Sequence, residues 1–415
     1  MTATGSFFRS RWVEVPGNVS EPGGGLPRGF TAAGVACGIK PSGGLDLGLL
    51  VSTQPGTTSA ARFTSSGTQS APVLLCRERC TLEGIRAIVV NSGNANAATG
   101  RPGFENAIKM QGAAALASRC TEGAVAVAST GVIGVPLPVS SAITGIVQAT
   151  HALRPDGEVD FAHAIRTTDA LDKHACLDVE LGAGTVRLTA QAKGAGMISP
   201  NFATLLCFVQ TDAALSPETC DLLLTVTVKR SFERISVDGQ LSTSDTVILQ
   251  ASGESGVGIE PETEDEVRFG EALDAVLRQL ALNIARDGEG ARRVGRVVVR
   301  GGDDAGVRRV AHAVADSPLV KTALYGGDPN WGRIIQSVGM AMPGTAPLAV
   351  DIAIEGIQVC ARGQFVPHDE EALKVAVQGE EIEYDIHLPG EGAETERYFS
   401  DLGHEYVTLN AEYTT

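Results

Sequence analysis

The sequence predicts a mixed α/β (α+β) protein built in layers, and three observations carry that expectation. Short apolar runs of strand length alternate irregularly with longer stretches of helical period. Glycine is abundant, with 49 residues against 12 phenylalanines, 5 tyrosines and 2 tryptophans, which implies many tight turns and close backbone contacts. At 415 residues the chain is long enough for two or more core layers, or for two domains.

The elements follow in order. Through about residue 28 the chain is polar and glycine-rich (GNVSEPGGGLPRG) and reads as an arm or loop. LDLGLLVST and APVLLC read as strands between turns. RAIVVNSGNANAATG is a strand running into a glycine/asparagine loop, and FENAIKMQGAAALASRC is a helix by its apolar spacing. AVAVASTGVIGVPLP is a strand entering a tight Gly/Pro loop, followed by the helix VSSAITGIVQATHAL. DFAHAIRTTDA reads as a helix ending in threonines. TVRLTAQAKGAG is a strand leading into a loop, and ATLLCFVQTDA continues as an apolar strand.

SPETCDLLLTVTVKRSF reads as a helix capped by Ser216. A helix from about Glu264 to Arg286 carries the stripe Val267, Leu273, Val276, Leu277, Leu280 and Ile284. RVGRVVVRGG is a strand and VRRVAHAVADSP a helix. LAVDIAIEG, QVCARG and EIEYDIHLPG alternate as strands, and the tail HEYVTLNAEYTT reads as a final strand.

The net charge of −16 argues against nucleic acid, which requires a basic footprint. An anionic substrate stays compatible, because one local cation holds a carboxylate against the global field. No apolar stretch of secretory or transmembrane length follows the N-terminus, so a cytoplasmic protein without a membrane partner is expected. The eight cysteines are scattered and read as reduced thiols. Cys76 and Cys80 lack a matching ligand pair at metal spacing, so no metal site is expected.

The chemistry concentrates in KGAGMISPNFATLL, residues 193–206. Thr204 follows a small residue, Ala203, behind a loop punctuated by glycine and proline. By composition alone it also fits an ordinary strand threonine. A threonine hydroxyl needs an adjacent base to act as a nucleophile, and cutting the chain before it frees its own α-amine for that task. A strained peptide ahead of the hydroxyl favours an N-to-O acyl shift, followed by ester hydrolysis.

STGVIG, residues 129–134, is either a strand-ending turn or an oxyanion hole. In the second reading the Thr130 hydroxyl and the Gly131 amide are the donors. Lys193 is either solvated or a carboxylate ligand beside the nucleophile. Glu289 in RDGEGA is either a charged turn residue or the partner of a substrate ammonium. NSGNANAATG and GGDPNWGR resemble loops that line a site, but neither matches a phosphate-binding fingerprint, and no nucleotide cofactor is expected.

These segments occur together and in order with GFTAAGVACGIKPSG, RTTDA, ISVDG, STSDT, VKTALYGGDPNWGR and LNAEYTT. From about residue 29 onward the chain thereby resembles the ornithine acetyltransferase (glutamate N-acetyltransferase) family. The resemblance implies a layered αββα sandwich, similar to N-terminal nucleophile hydrolases but different in connectivity, with a smaller additional α/β domain. It implies self-cleavage at Ala203–Thr204 into chains 1–203 and 204–415, assembled as a heterotetramer of two α and two β chains. Thr204 would then carry an acetyl group from N2-acetylornithine to glutamate, with acetyl-CoA as a further co-substrate in bifunctional members.

By motif position Thr130 and Gly131 match the oxyanion pair. Thr167, Lys193, Thr204, Glu289, Asn410 and Thr415 match substrate-binding positions. One departure stands after SVDG, where Gln240 and Leu241 replace an acid and a threonine. This leaves open a paralogue in secondary metabolism with a different acceptor. A self-cleaving amidase or aminopeptidase using water as acceptor shares the same nucleophile. A silent relative that only binds an amino acid or a partner would fail to cleave at Thr204.

Overall fold

The computed structural model describes residues 6–199 and 205–412. Ala203, Thr204 and Thr415 therefore lie outside the described residues.

Two sheets lie at the centre of the larger part. One has six strands in the order Val19–Ser20, Lys173–Leu181, Gly184–Lys193, Leu206–Thr211, Thr246–Ala251 and Thr58–Phe63. The other has four, in the order Phe30–Val35, Leu47–Ser52, Ala87–Asn94 and Val125–Val132. Side chains alternate between faces along each strand. Leu206, Phe208 and Ile248 of the first sheet share a core with Leu50, Ile88 and Val90 of the second. Cys207, Val209 and Leu249 point the other way, onto the helices Pro217–Arg230 and Glu264–Arg286. On the far side, Leu49, Val89 and Val127 pack on Gly100–Ser118 and Val139–Ala152. The result is the expected αββα sandwich.

Both faces of both sheets are covered, so central strands such as Leu206–Thr211 are buried at every position. Phe161, on the short helix Glu158–Ile165, enters the inter-sheet layer. Its ring meets Phe208 edge-on, with centroids 5.7 Å apart.

A smaller α/β unit follows. Its seven-stranded sheet runs Ile235–Ser236, Glu394–Ser400, Val294–Arg300, Glu381–His387, Asp351–Ile354, Ile357–Ala361 and Gln364–Phe365. It packs on helices that include Asp304–Ala315, Pro318–Gly326 and Trp331–Ala341 around a separate core. Among the described residues no helix is long and apolar enough to cross a membrane.

Four expectations need correction. APVLLC is the start of the helix Ala71–Arg79. Pro72 sits in its first turn, where the absent N–H costs nothing and the fixed φ favours helix entry. Six apolar residues do not distinguish strand from helix by period. The tail is the helix His404–Glu412. None of its residues is buried, so no sheet edge takes up its β-branched side chains. Val267 is 58% exposed, so the apolar stripe of its helix begins two residues later, at Phe269. The Glu158–Ile165 helix also stops before the threonines, leaving Thr167 and Thr168 in a loop.

Candidate active site

A cleft of about 240 Å³ opens where the ends of the two central sheets meet the C-terminal helix. Its walls include Thr130, Gly131, Thr167, Lys193, Glu289 and Asn410, six of the positions singled out in the sequence.

The floor comes from the end of the Val125–Val132 strand. It pairs in parallel with Ala87–Asn94, and the register slips at Asn94. Gly131 lies there at φ +129°, and a Cβ would stand 2.4 Å from the Gly93 carbonyl carbon. Only glycine fits without displacing backbone. Thr130 beside it is buried.

Lys193 ends the neighbouring Gly184–Lys193 strand, and its ammonium is buried. It donates to Thr167 Oγ1 at 2.8 Å and to Thr130 Oγ1 at 3.2 Å. The Thr130 oxygen accepts that bond through a lone pair, so its own hydrogen remains available to a third group. Burial lowers the Lys193 pKa, against the opposing pull of Asp169.

Asp169 organises this wall. It accepts from the Gly194 amide at 2.7 Å, from the Thr167 amide at 3.1 Å and from Lys173 Nζ at 2.7 Å. Burial pushes its pKa up, but Lys173 and Lys193 outweigh burial and hold the carboxyl well below the usual range.

Glu289 lines the cleft as well. Its amide donates to Ala195 O at 2.9 Å, which ties the RDGEGA turn to the loop after Lys193. Its carboxylate lies over Gly196, where a Cβ would come within 2.8 Å of it. Asn410, on the C-terminal helix, donates to Glu289 Oε2 at 2.7 Å.

One turn earlier on that helix, Tyr406 donates to Asp238 Oδ2 at 3.4 Å. Asp238 also accepts the amides of Met197 at 2.6 Å, Ile198 at 2.9 Å and Gln240 at 3.1 Å. It thereby holds the segment that leads toward residues 200–204. Asp245 accepts the amide of Leu205 at 3.0 Å, on the far side of that segment. Burial raises the Asp245 pKa to about 7, only partly offset by its hydrogen bonds.

Several of these residues were not singled out in the sequence: Asp169, Lys173, Asp238, Asp245, Asp287 and Tyr406. A signal was present for some. RTTDA, ISVDG and STSDT each set one acid among small hydrogen-bonding residues, a pattern suited to collecting backbone amides. Lys173 and Asp287 carried no such signal. Of the two asparagine loops, NSGNANAATG supplies Ala95 to the cleft. GGDPNWGR does not line it among the described residues; Asn330 instead caps the Trp331–Ala341 helix by accepting from the Arg333 amide. Gln240 lines the cleft, whereas Leu241 is not among the lining residues. All eight cysteines are free thiols.

The ArgJ family model matches residues 31–415. The arginine biosynthesis bifunctional protein ArgJ of Symbiobacterium thermophilum is 41% identical over 393 residues, covering 94% of this chain and 98% of that protein. The protein of the same name from Synechococcus sp. is 41% identical over 427 residues, covering 99% of this chain and all of that protein. Among solved structures, an ornithine acetyltransferase complexed with ornithine from Mycobacterium tuberculosis is 36% identical. It covers 44% of this chain and 96% of that one, with a TM-score of 0.40. With a family match running from residue 31 to the last residue and relatives at 41% identity over nearly all of their length, this chain belongs to the ArgJ family.

Proposed function

We propose that this protein is a glutamate N-acetyltransferase that takes its acetyl group from N2-acetylornithine, within arginine biosynthesis. The observation that carries the reading is the presence of one buried ammonium, Lys193, and one carboxylate, Glu289, in a small cleft that Thr130 and Gly131 also line. An α-amino-acid substrate bears both complementary charges.

The precursor cuts itself between Ala203 and Thr204, giving chains 1–203 and 204–415. The freed α-amine of Thr204, directly or through water, takes the hydroxyl proton as Oγ attacks the acetyl carbonyl of N2-acetylornithine. The Thr130 hydroxyl and the Gly131 amide donate to the oxyanion. The carbonyl–nitrogen bond breaks, and ornithine leaves with the proton on its amine. The amine of glutamate then attacks acetyl-threonine and restores the Thr204 hydroxyl. Lys193 holds the α-carboxylate in both halves, aided by Thr167. Glu289 and Asn410 hold the distal end, and Thr415 is a further substrate-binding residue.

The relatives are named bifunctional, and in this scheme acetyl-CoA is the second acetyl donor. No metal or bound cofactor takes part in this scheme. Two α and two β chains form a cytoplasmic heterotetramer. Gln240, a neutral residue in the cleft wall, bears on the choice of acceptor.

Incubation with N2-acetylornithine and glutamate, with and without acetyl-CoA, tests the reading by product mass. Acetylglutamate and ornithine in equal amounts are expected. Acetate release that does not depend on glutamate would replace it with an amidase.

A further inference from the structure

Lys173 is not among the residues lining the cleft, yet its ammonium joins the loop that holds Asp169 to the turn that carries Glu289. The side chain is fully buried. Its three N–H donors are all used, on Asp169 Oδ1 at 2.7 Å, Asp287 Oδ2 at 2.5 Å and Leu171 O at 3.4 Å. Asp287 also accepts the amides of Ala170 at 3.1 Å and Leu171 at 3.2 Å, and it lies two residues before Glu289. The second oxygen of Asp169 stands 4.0 Å from Lys193 Nζ, outside hydrogen-bond range. Four buried charges thus alternate in sign: Lys193, Asp169, Lys173, Asp287.

In a desolvated site a carboxylate is a stronger partner for an ammonium than two neutral hydroxyls. Lys193 nonetheless bonds to Thr130 and Thr167, because Lys173 and the Gly194 amide hold Asp169 by Oδ1, and Oδ2, which accepts the Thr167 amide, is left 4.0 Å from Lys193 Nζ. We infer that Lys173 is a positioning residue for acetyl transfer. By anchoring Asp169 through Oδ1 it keeps the carboxylate out of reach of Lys193, which stays on the threonines, and by holding Asp287 it sets the turn that presents Glu289. The inference rests on the acetyltransferase reading for its kinetic consequence and on geometry alone for its structural one.

The charged groups facing Lys193 are Asp169, Lys173, Asp245 and Glu289, with Lys40 at longer range. Lys173 is the cation among them that lowers the Lys193 pKa most, so its removal raises that pKa.

The test is Lys173→Met, together with Lys173→Met/Asp287→Asn. The double variant removes one charge of each sign, so the buried set stays neutral if the single variant fails to fold. In a crystal structure of either variant, Lys193 Nζ is expected within hydrogen-bond distance of Asp169 and detached from Thr167. The KM for N2-acetylornithine rises about tenfold to a hundredfold. The basic limb of its kcat/KM profile moves to higher pH, which loss of stability alone would not produce. Lys193 still seated on both threonines, or a basic limb that stays in place, overturns the inference. If the wild-type protein shows no transfer to glutamate, the functional reading fails, and the crystallographic comparison still decides the role of Lys173.

Discussion

Asn410 donates to the Glu289 carboxylate at 2.7 Å, joining the exposed C-terminal helix to the turn that closes the Glu264–Arg286 helix. The contact spans 121 residues of sequence and makes that helix part of the cleft wall. It also aligns one oxygen of Glu289, leaving the other for a ligand.

This contact sets the first prediction. A hydrogen bond to a charged group contributes about 1.5–3 kcal/mol. Asn410→Ala is therefore expected to raise the KM for N2-acetylornithine by roughly tenfold to a hundredfold. Removal of residues 410–415 should weaken both half-reactions. Steady-state kinetics on each half-reaction measure this. Wild-type values in a folded, cleaved truncation would exclude the tail from the site.

Glu289→Gln keeps the shape of the side chain and removes its charge. Losing one partner of a desolvated charge pair costs about 2–5 kcal/mol. A large fall in kcat/KM with N2-acetylornithine is expected, with a smaller change in the glutamate half-reaction. Equal losses for both substrates would show that Glu289 does not read the cationic end.

Thr204→Ala should remain a single inactive chain on a denaturing gel, whereas the wild type runs as fragments 1–203 and 204–415. Thr130→Ala should lower turnover by roughly tenfold to a thousandfold, as expected for one lost oxyanion donor, with little change in acetylornithine binding. A full-length wild-type chain with complete transferase activity would rule out the nucleophile assignment.

Asp245 gives a prediction in pH. Its folded pKa, about 7, lies above the ordinary carboxylate value because burial penalises the anion. The folded protein therefore holds a proton that the unfolded chain releases near pH 4. This contribution to stability is complete below about pH 4 and is lost as pH rises through about 7. Asp245→Asn cannot ionise and should flatten that slope. Thermal melts of both proteins at pH 5 and pH 8 compare them, with the variant gaining on the wild type at the higher pH. Parallel pH dependence would place the titration elsewhere.

Much of this protein follows from local pattern. The Glu264–Arg286 helix matches its apolar period from Leu273 to Ile284, and Ser216 caps the next-longest helix of that half as its sequence suggests. The apolar runs read as strands of a layered α/β protein, and the αββα sandwich itself is implied by the family resemblance. Gly131 and Lys193 stand out as residues because a turn glycine and a lone cation at a strand end carry distinct local chemistry.

Tertiary structure decided the rest. The polar tail reads as a strand in sequence and is a helix in the structure, and none of its described residues is buried. Its form matters because Tyr406 and Asn410, one helical turn apart, reach Asp238 and Glu289 together. The run of alternating charge from Lys193 to Asp287 joins segments more than a hundred residues apart. Spacing along the chain does not encode such a pairing. It arises because folding buries four ionisable groups in one place, where each stays charged only beside a partner of opposite sign.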